Sequence, residues 1–186
     1  VHPGGGLWYS MKITKVEPQT LRLRSGRDSH RFNIFLDGEF AFGADEDLVV
    51  NRRLMVGKEI SGDDLEKILF EAEAGKLMER MYRLFSIRAR SEKEIWDYLN
   101  HLSFKRKLKG QEEISLIICT TIVEQLKHKG LINDEEFAKA WVDSRSKKYG
   151  VNRIRQELLQ KGIGREMIEE VLSIKYKVLR EEENAG

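Results

Sequence analysis

The chain has 186 residues, enough for one or two domains with a sizeable core, and 33 Lys+Arg against 31 Asp+Glu leave a formal net charge of only +2. So small a net charge excludes a protein that coats nucleic acid through bulk electrostatics, and any anionic partner has to be met by local patches. A single cysteine, Cys119, excludes a disulfide framework and a CxxC metal cluster. With no run of about 18 apolar residues and no basic-then-apolar leader, the expectation is a cytoplasmic protein without membrane association.

Residues 1–10, VHPGGGLWYS, are Gly-rich and aperiodic and precede Met11, so they read as a flexible extension. Residues 11–60 read as a small β-rich module. The runs KITKVE, TLRLR, RFNIFL and FAF are short and alternating, and Ser25-Gly26 and Asp37-Gly38 supply turn residues that tolerate positive φ. One short helix is expected over Asp45 to Leu54, and MVGKEIS closes the module with a turn.

From Ser61 the pattern is helical. Ser61 with Asp64 resembles a capping pair, and Leu65, Ile68, Leu69, Ala72, Met78, Met81, Tyr82 and Phe85 trace an apolar stripe interrupted at Gly75. Ser91 and Glu94 form a capping box that opens the helix holding Ile95 and Leu99. A polar loop from about Lys105 to Glu113 leads into ISLIICTTIVEQLKHKG, which Gly130 terminates in a left-handed cap. Asn133 and Glu136 open FAKAWVDSRSKK, Gly150 interrupts it, NRIRQELLQK follows and stops at Gly162, and REMIEEVLSIKY comes last.

These helices repeat. Ile154 and Leu158 restate Ile95 and Leu99 at an offset of 59 residues (154 − 95), and Phe137 and Trp141 restate Met78 and Tyr82 at the same offset. The third helices align Ile122, Val123 and Leu126 with Met167, Ile168 and Val171, an offset of 45 (167 − 122), as if the first repeat carried a longer basic loop. A fixed period of apolar positions marks a repeated unit stacked on itself, and such arrays present a long surface to an extended partner. The fold class is therefore mainly α: two tandem three-helix repeats, residues 61–131 and 132–176, after the antiparallel β module, with an acidic tail at 177–186.

Charge is segregated along the chain. Lys105, Arg106, Lys107 and Lys109 form one basic cluster; Arg145, Lys147, Lys148, Arg153 and Arg155 form a second, which straddles Gly150 and Tyr149. Arg88 and Arg90 hold the corresponding place in the first repeat. A solvated helix face is the bland reading of these charges and an anion-facing patch the functional one. Tyr149 reads as a buried ring closing the turn, or as a stacking platform for a base. Trp96, Trp141 and Cys119 read as packing residues. The four histidines, His2, His30, His101 and His128, have no ligand spacing. No nucleophile elbow, phosphate-binding glycine loop or paired-acid motif is found, so an enzyme is not expected.

The block GLINDEEFAKAWVDSRSKKYGVNRIRQELLQKGI, with RARSEKEIWDYL upstream, resembles the RecX family, bacterial modulators of the RecA recombinase, and the resemblance covers Met11 to about Ile174. It implies tandem three-helix repeats after an N-terminal sheet module. It further implies binding in the helical groove of the RecA–DNA filament, with inhibition of recombinase, ATPase and co-protease activity in DNA repair, recombination and the SOS response. Family members typically carry three repeats; this sequence holds two and then KVLREEENAG. Arg88, Arg90, Lys105, Arg106, Lys107, Arg145, Lys147, Lys148, Tyr149, Arg153 and Arg155 are the candidate contacts to filament or single-stranded DNA. A monomer without cofactor or metal is expected. The rival reading is a helix-turn-helix-like module, residues 133–148 with 152–161, in which Arg153, Arg155 and Gln156 read bases directly.

Overall fold

The structure, a computed structural model, describes residues 10–19 and 31–184; the TLRLR run and the turn expected at Ser25-Gly26 lie outside the described residues. Four strands come first: β1 (Ser10–Pro18), β2 (Arg31–Leu36), β3 (Glu39–Asp45) and β4 (Glu59–Ser61). They form one antiparallel sheet in the order β3-β2-β1-β4. The β2–β3 hairpin turns at Asp37 (φ +49) and Gly38 (φ +92), the two positive-φ positions the Asp-Gly signal anticipates. MVGKEIS is more than a turn, since its end pairs with β1 through Met11 and Ile60. Helix α1 spans Glu46–Asn51, shorter than expected, and Asp45 caps it by accepting from Leu48 N at 2.8 Å.

Helix α2 (Gly62–Phe85) runs unbroken through Gly75. Its glycine answers a packing need rather than a break: a Cβ there would collide with the Asp45 carboxylate that caps α1. Chain contacts divide the molecule into two units whose seam is Arg80/Met81, inside α2, rather than at 60/61. The cause is apolar. Ile68 and Ala72, with Leu65 beside them, bury against Ile13, Ile34, Phe42, Ala44, Leu54 and Ile60 of the sheet module. Two ion pairs follow the same division, Arg31 to Glu79 at 3.0 Å and Arg52 to Glu71 through two hydrogen bonds. The first turns of α2 therefore belong to the sheet's core.

The second unit holds α3 (Glu92–Leu108), α4 (Leu116–His128), α5 (Asp134–Arg145), α6 (Val151–Gln160) and α7 (Arg165–Asn184). The starts of α3 and α6 stand 59 residues apart (151 − 92), as the apolar pattern indicates. Those of α4 and α7 stand 49 apart (165 − 116), not 45. Ile114, Cys119, Ile122 and Val123 then match Ile163, Ile168, Val171 and Leu172, all buried. A four-residue slip is nearly one helical turn, so it keeps the stripe in phase and escapes a pattern search. Among the first helices, the buried pair Leu77 and Met78 answers Phe137 and Ala138 at an offset of 60, and Tyr82 is exposed where Trp141 is half-buried.

The second repeat has a core of its own. Phe137, Ala138, Val142, Ile154, Leu158, Ile163, Ile168, Val171 and Leu172 form one buried cluster, with Trp141, Tyr149 and Met167 packed at its edge. Ile154 and Leu158 are fully buried, a burial worth about 1.5–3 kcal/mol for each side chain. Helix α7 continues to Asn184, so the stretch expected as a tail is helical for most of its length.

Candidate functional site

The two repeats meet at the N-terminus of α3. Ser91, fully buried, caps the helix by accepting from Glu94 N at 3.3 Å and donates to the Lys161 carbonyl at 2.7 Å. Asp134, the first residue of α5, accepts from Glu92 N at 2.8 Å, a second cap supplied by the other repeat. Burial pushes the Asp134 carboxyl up from its ordinary pKa, an effect the Glu92 amide opposes. Lys161 ends α6, so the negative end of one helix dipole faces the positive end of another.

Glu94 does not reach back to its own cap. Its carboxylate takes two hydrogen bonds from Arg88, at 2.8 and 3.0 Å, and one from Lys161. Burial works against the charge, yet these bonds outweigh it and hold the carboxyl down to about 2. Lys161 also stands over the Trp141 ring, 5.2 Å from its centre, which carries the network into the second repeat.

There the cations and aromatic rings interleave. Arg145 lies over Trp141 at 4.7 Å and near Tyr149 at 5.4 Å; Arg153 lies over Tyr149 at 3.9 Å, and Lys148 approaches the same ring at 5.6 Å. One carboxylate sits among them. Glu157 accepts from Trp141 Nε1 at 3.0 Å and pairs with Arg153 at 3.3 Å and Arg145 at 3.6 Å. Gly150 is the N-cap of α6 in an extended conformation, φ −71° and ψ 158°, with no side-chain cap. The turn it makes brings Arg145, at the end of α5, beside Arg153, in the first turn of α6. Lys147 is exposed on that turn.

The structure thus gathers Arg88, Arg145, Lys148, Tyr149 and Arg153 into one contact-linked strip. Five other candidates stand apart. Arg155 points to the α7 side, where it makes a two-pronged pair with Glu169 at 2.6 and 3.0 Å and bonds Asn152. Lys105, Arg106 and Lys107 are not in a loop; they form the last turn of α3, about 16–20 Å along the axis from Glu94 at 1.5 Å per residue. Lys107 there pairs with Glu113 at 2.7 Å. Arg90 is half-buried and turns back toward the Leu84 carbonyl at 3.5 Å. Trp96 is half-buried and bonds Glu92, Cys119 is buried, and His101 and His128 are exposed.

Residues 11–61 match the regulatory protein RecX N-terminal domain, and residues 133–172 match the second three-helix domain of RecX. Regulatory protein RecX of Clostridium botulinum (strain Eklund 17B / Type B) is 30% identical over 162 residues, which cover 87% of this chain and 69% of that protein. The chain belongs to the RecX family. Its RecX relatives in Bacillus subtilis (strain 168) and Listeria innocua are 33% and 32% identical over 87% of this chain. This RecX-family chain spans little more than half the length of those two, 56% and 55%. A crystal structure of regulatory protein RecX superimposes with a TM-score of 0.62 at 30% identity, covering 88% of this chain and 73% of that one. The relatives are named as regulatory proteins rather than enzymes, and no helix among the described residues is long and apolar enough to cross a membrane.

Sequence reasoning passed over the three residues that organise this RecX surface: Glu94, Glu157 and Lys161. Their signals were visible. Glu94 stands at the third position of a capping-box pattern, and Glu157 and Lys161 stand in the E-L-x-x-K-G string that carries the family resemblance, but nothing in one dimension says that their charges meet the basic clusters.

Proposed function

We propose that this RecX-family chain restrains RecA by binding the filament that RecA forms on DNA, with the strip from Arg88 through Arg145 and Arg153 as its contact surface. What carries the reading is the charge of the second half of that strip: Arg145 and Arg153 share the carboxylate of Glu157, while Lys148 lies by the Tyr149 ring and Lys147 is exposed on the same turn. An anionic polymer is a fit target for such a surface, and inhibition of strand exchange, ATP hydrolysis and co-protease activity follows from occupying the filament groove. The protein acts as a monomer in the cytoplasm on this account.

The strip favours anions over bases. Trp141 and Tyr149 already have cations against them, so neither ring offers a free stacking face of the kind that single-strand binders use. Direct reading of duplex DNA loses one of its three side chains, because Arg155 is committed to Glu169 and Asn152. A salt titration tests the proposal. Binding to single-stranded DNA alone is expected to be weak and to vanish steeply with added salt, while binding to DNA coated with RecA persists at physiological ionic strength. Equal affinity for bare and coated DNA at every salt concentration would replace filament recognition with simple DNA binding.

A further inference from the structure

We infer that Glu157 is the positioning residue of the cationic strip: it holds Arg145 and Arg153 in fixed places for an anionic partner, even though its own charge opposes that partner. The inference rests on the proposed function above and goes a step past it, because a charge count alone assigns Glu157 the opposite role. A carboxylate on an anion-binding face lowers the attraction, and its removal raises the local positive charge by one.

The geometry argues against that count. Glu157 is only 20% exposed at its side chain, whereas Arg153 is 60% exposed, so the carboxylate sits beneath the guanidinium rather than beside it. Its two oxygens serve two helices: they accept hydrogen bonds from Trp141 on α5 and from Arg153 one turn earlier on α6, and they pair with Arg145 on α5 at 3.6 Å. Each guanidinium is then stacked on a ring, Arg145 on Trp141 and Arg153 on Tyr149. A guanidinium fixed from below by a carboxylate and from the side by a ring keeps its remaining N–H groups aimed outward. Long cationic side chains that are free before binding have to be immobilised on contact, a cost these two have already met on folding. The same device recurs across the repeat junction, where Glu94 holds Arg88 and Lys161.

The test uses two substitutions in the intact chain. Glu157→Gln keeps an oxygen acceptor for Trp141 Nε1 and removes both ion pairs; Glu157→Asp keeps the charge and shortens the reach. Affinity is measured for RecA filaments on single-stranded DNA, with thermal melting in parallel. Both variants are expected to bind about tenfold more weakly, the effect of releasing two arginine side chains, with melting temperatures within about 2 °C of the parent, since ion pairs that water still reaches contribute little stability. Equal or tighter binding by Glu157→Gln overturns the inference and restores the charge count. A loss of affinity that only tracks a fall in melting temperature also overturns it, by reducing Glu157 to a structural part. A control separates this from the parent reading: if Arg145→Gln, Lys148→Gln and Arg153→Gln together leave binding intact, the strip is not the contact surface and both fall.

Discussion

The hydroxyl of Ser91 donates a 2.7 Å hydrogen bond to the carbonyl of Lys161, seventy residues later, and so closes the first turn of α3 on the last turn of α6. The same oxygen caps α3 by accepting from Glu94 N. Ser91→Ala therefore removes a helix cap and strands a carbonyl at the repeat junction. The expected cost is about 1–3 kcal/mol, read as a shift in the denaturation midpoint. A cost below about 0.5 kcal/mol, the level of a surface change, would mean the junction does not depend on this contact.

Two glycines at the opposite ends of α6 should respond in opposite directions. Gly162 has φ +82°, and a Cβ there would lie 2.6 Å from Lys93 Cβ, so Gly162→Ala meets both backbone strain and a collision at the junction. It should destabilise by about 2 kcal/mol or more, since the left-handed conformation alone costs an L-residue about 1–2 kcal/mol. Gly150 sits at φ −71° in open space and lacks a side-chain cap. Gly150→Ser copies Ser91 and should be neutral or stabilising by a few tenths of a kcal/mol. Thermal melts of the two variants check the pair.

Acid should weaken the junction through Glu94. Its carboxyl is held at about 2 by Arg88 and Lys161, below the ordinary value near 4.3 of an unfolded chain. A carboxylate whose pKa folding depresses adds stability that is complete above the unfolded value and disappears as pH falls toward the folded one. The difference in stability between the parent and Glu94→Gln should accordingly be constant above about pH 5 and shrink between about pH 4.5 and 2. Asp134 next to it is shifted upward by burial and works in the other sense, which makes the difference, rather than the parent's own curve, the quantity to plot. A difference independent of pH across that window would contradict the network.

Removal of the sheet module at residue 60 should have a local consequence. Leu65, Ile68 and Ala72 lose the apolar surface that buries them, so amides over 62–80 should lose hydrogen-exchange protection while those of α5, α6 and α7 keep theirs. Retained protection over 62–80 would show that this part of α2 is stable without the sheet.

The legible parts of this molecule are those with a local cause. Asp37-Gly38 has to turn where both residues take positive φ, Ser91 and Asn133 have to cap, and Ile154 and Leu158 have to face inward because a period of 3.6 leaves them no other side. Gly75 misled because a glycine in a helical pattern reads as a break, whereas the Asp45 carboxylate thirty residues earlier explains it. The third-helix offset misled because four residues look like a turn. The basic clusters were visible as charge but not as geometry: Arg155 differs from Arg153 by two positions, which on a helix is about 200° of rotation, and that alone sends it to Glu169 instead of Tyr149.

Arg145, Lys148 and Arg153 are the proposed surface that meets the RecA filament. Replacing all three by glutamine is preferable to reversing them, because new carboxylates would crowd Glu157. The decisive measurement is the affinity of this triple variant for RecA-coated single-stranded DNA across a salt series, beside Arg155→Gln as the control from the opposite side of α6. The account predicts a loss of at least about 30-fold at physiological salt for the triple variant, with a salt dependence shallower by up to about three ionic contacts, and no change for Arg155→Gln. Parent-like affinity in a folded triple variant, or an equal loss from Arg155→Gln, would contradict it.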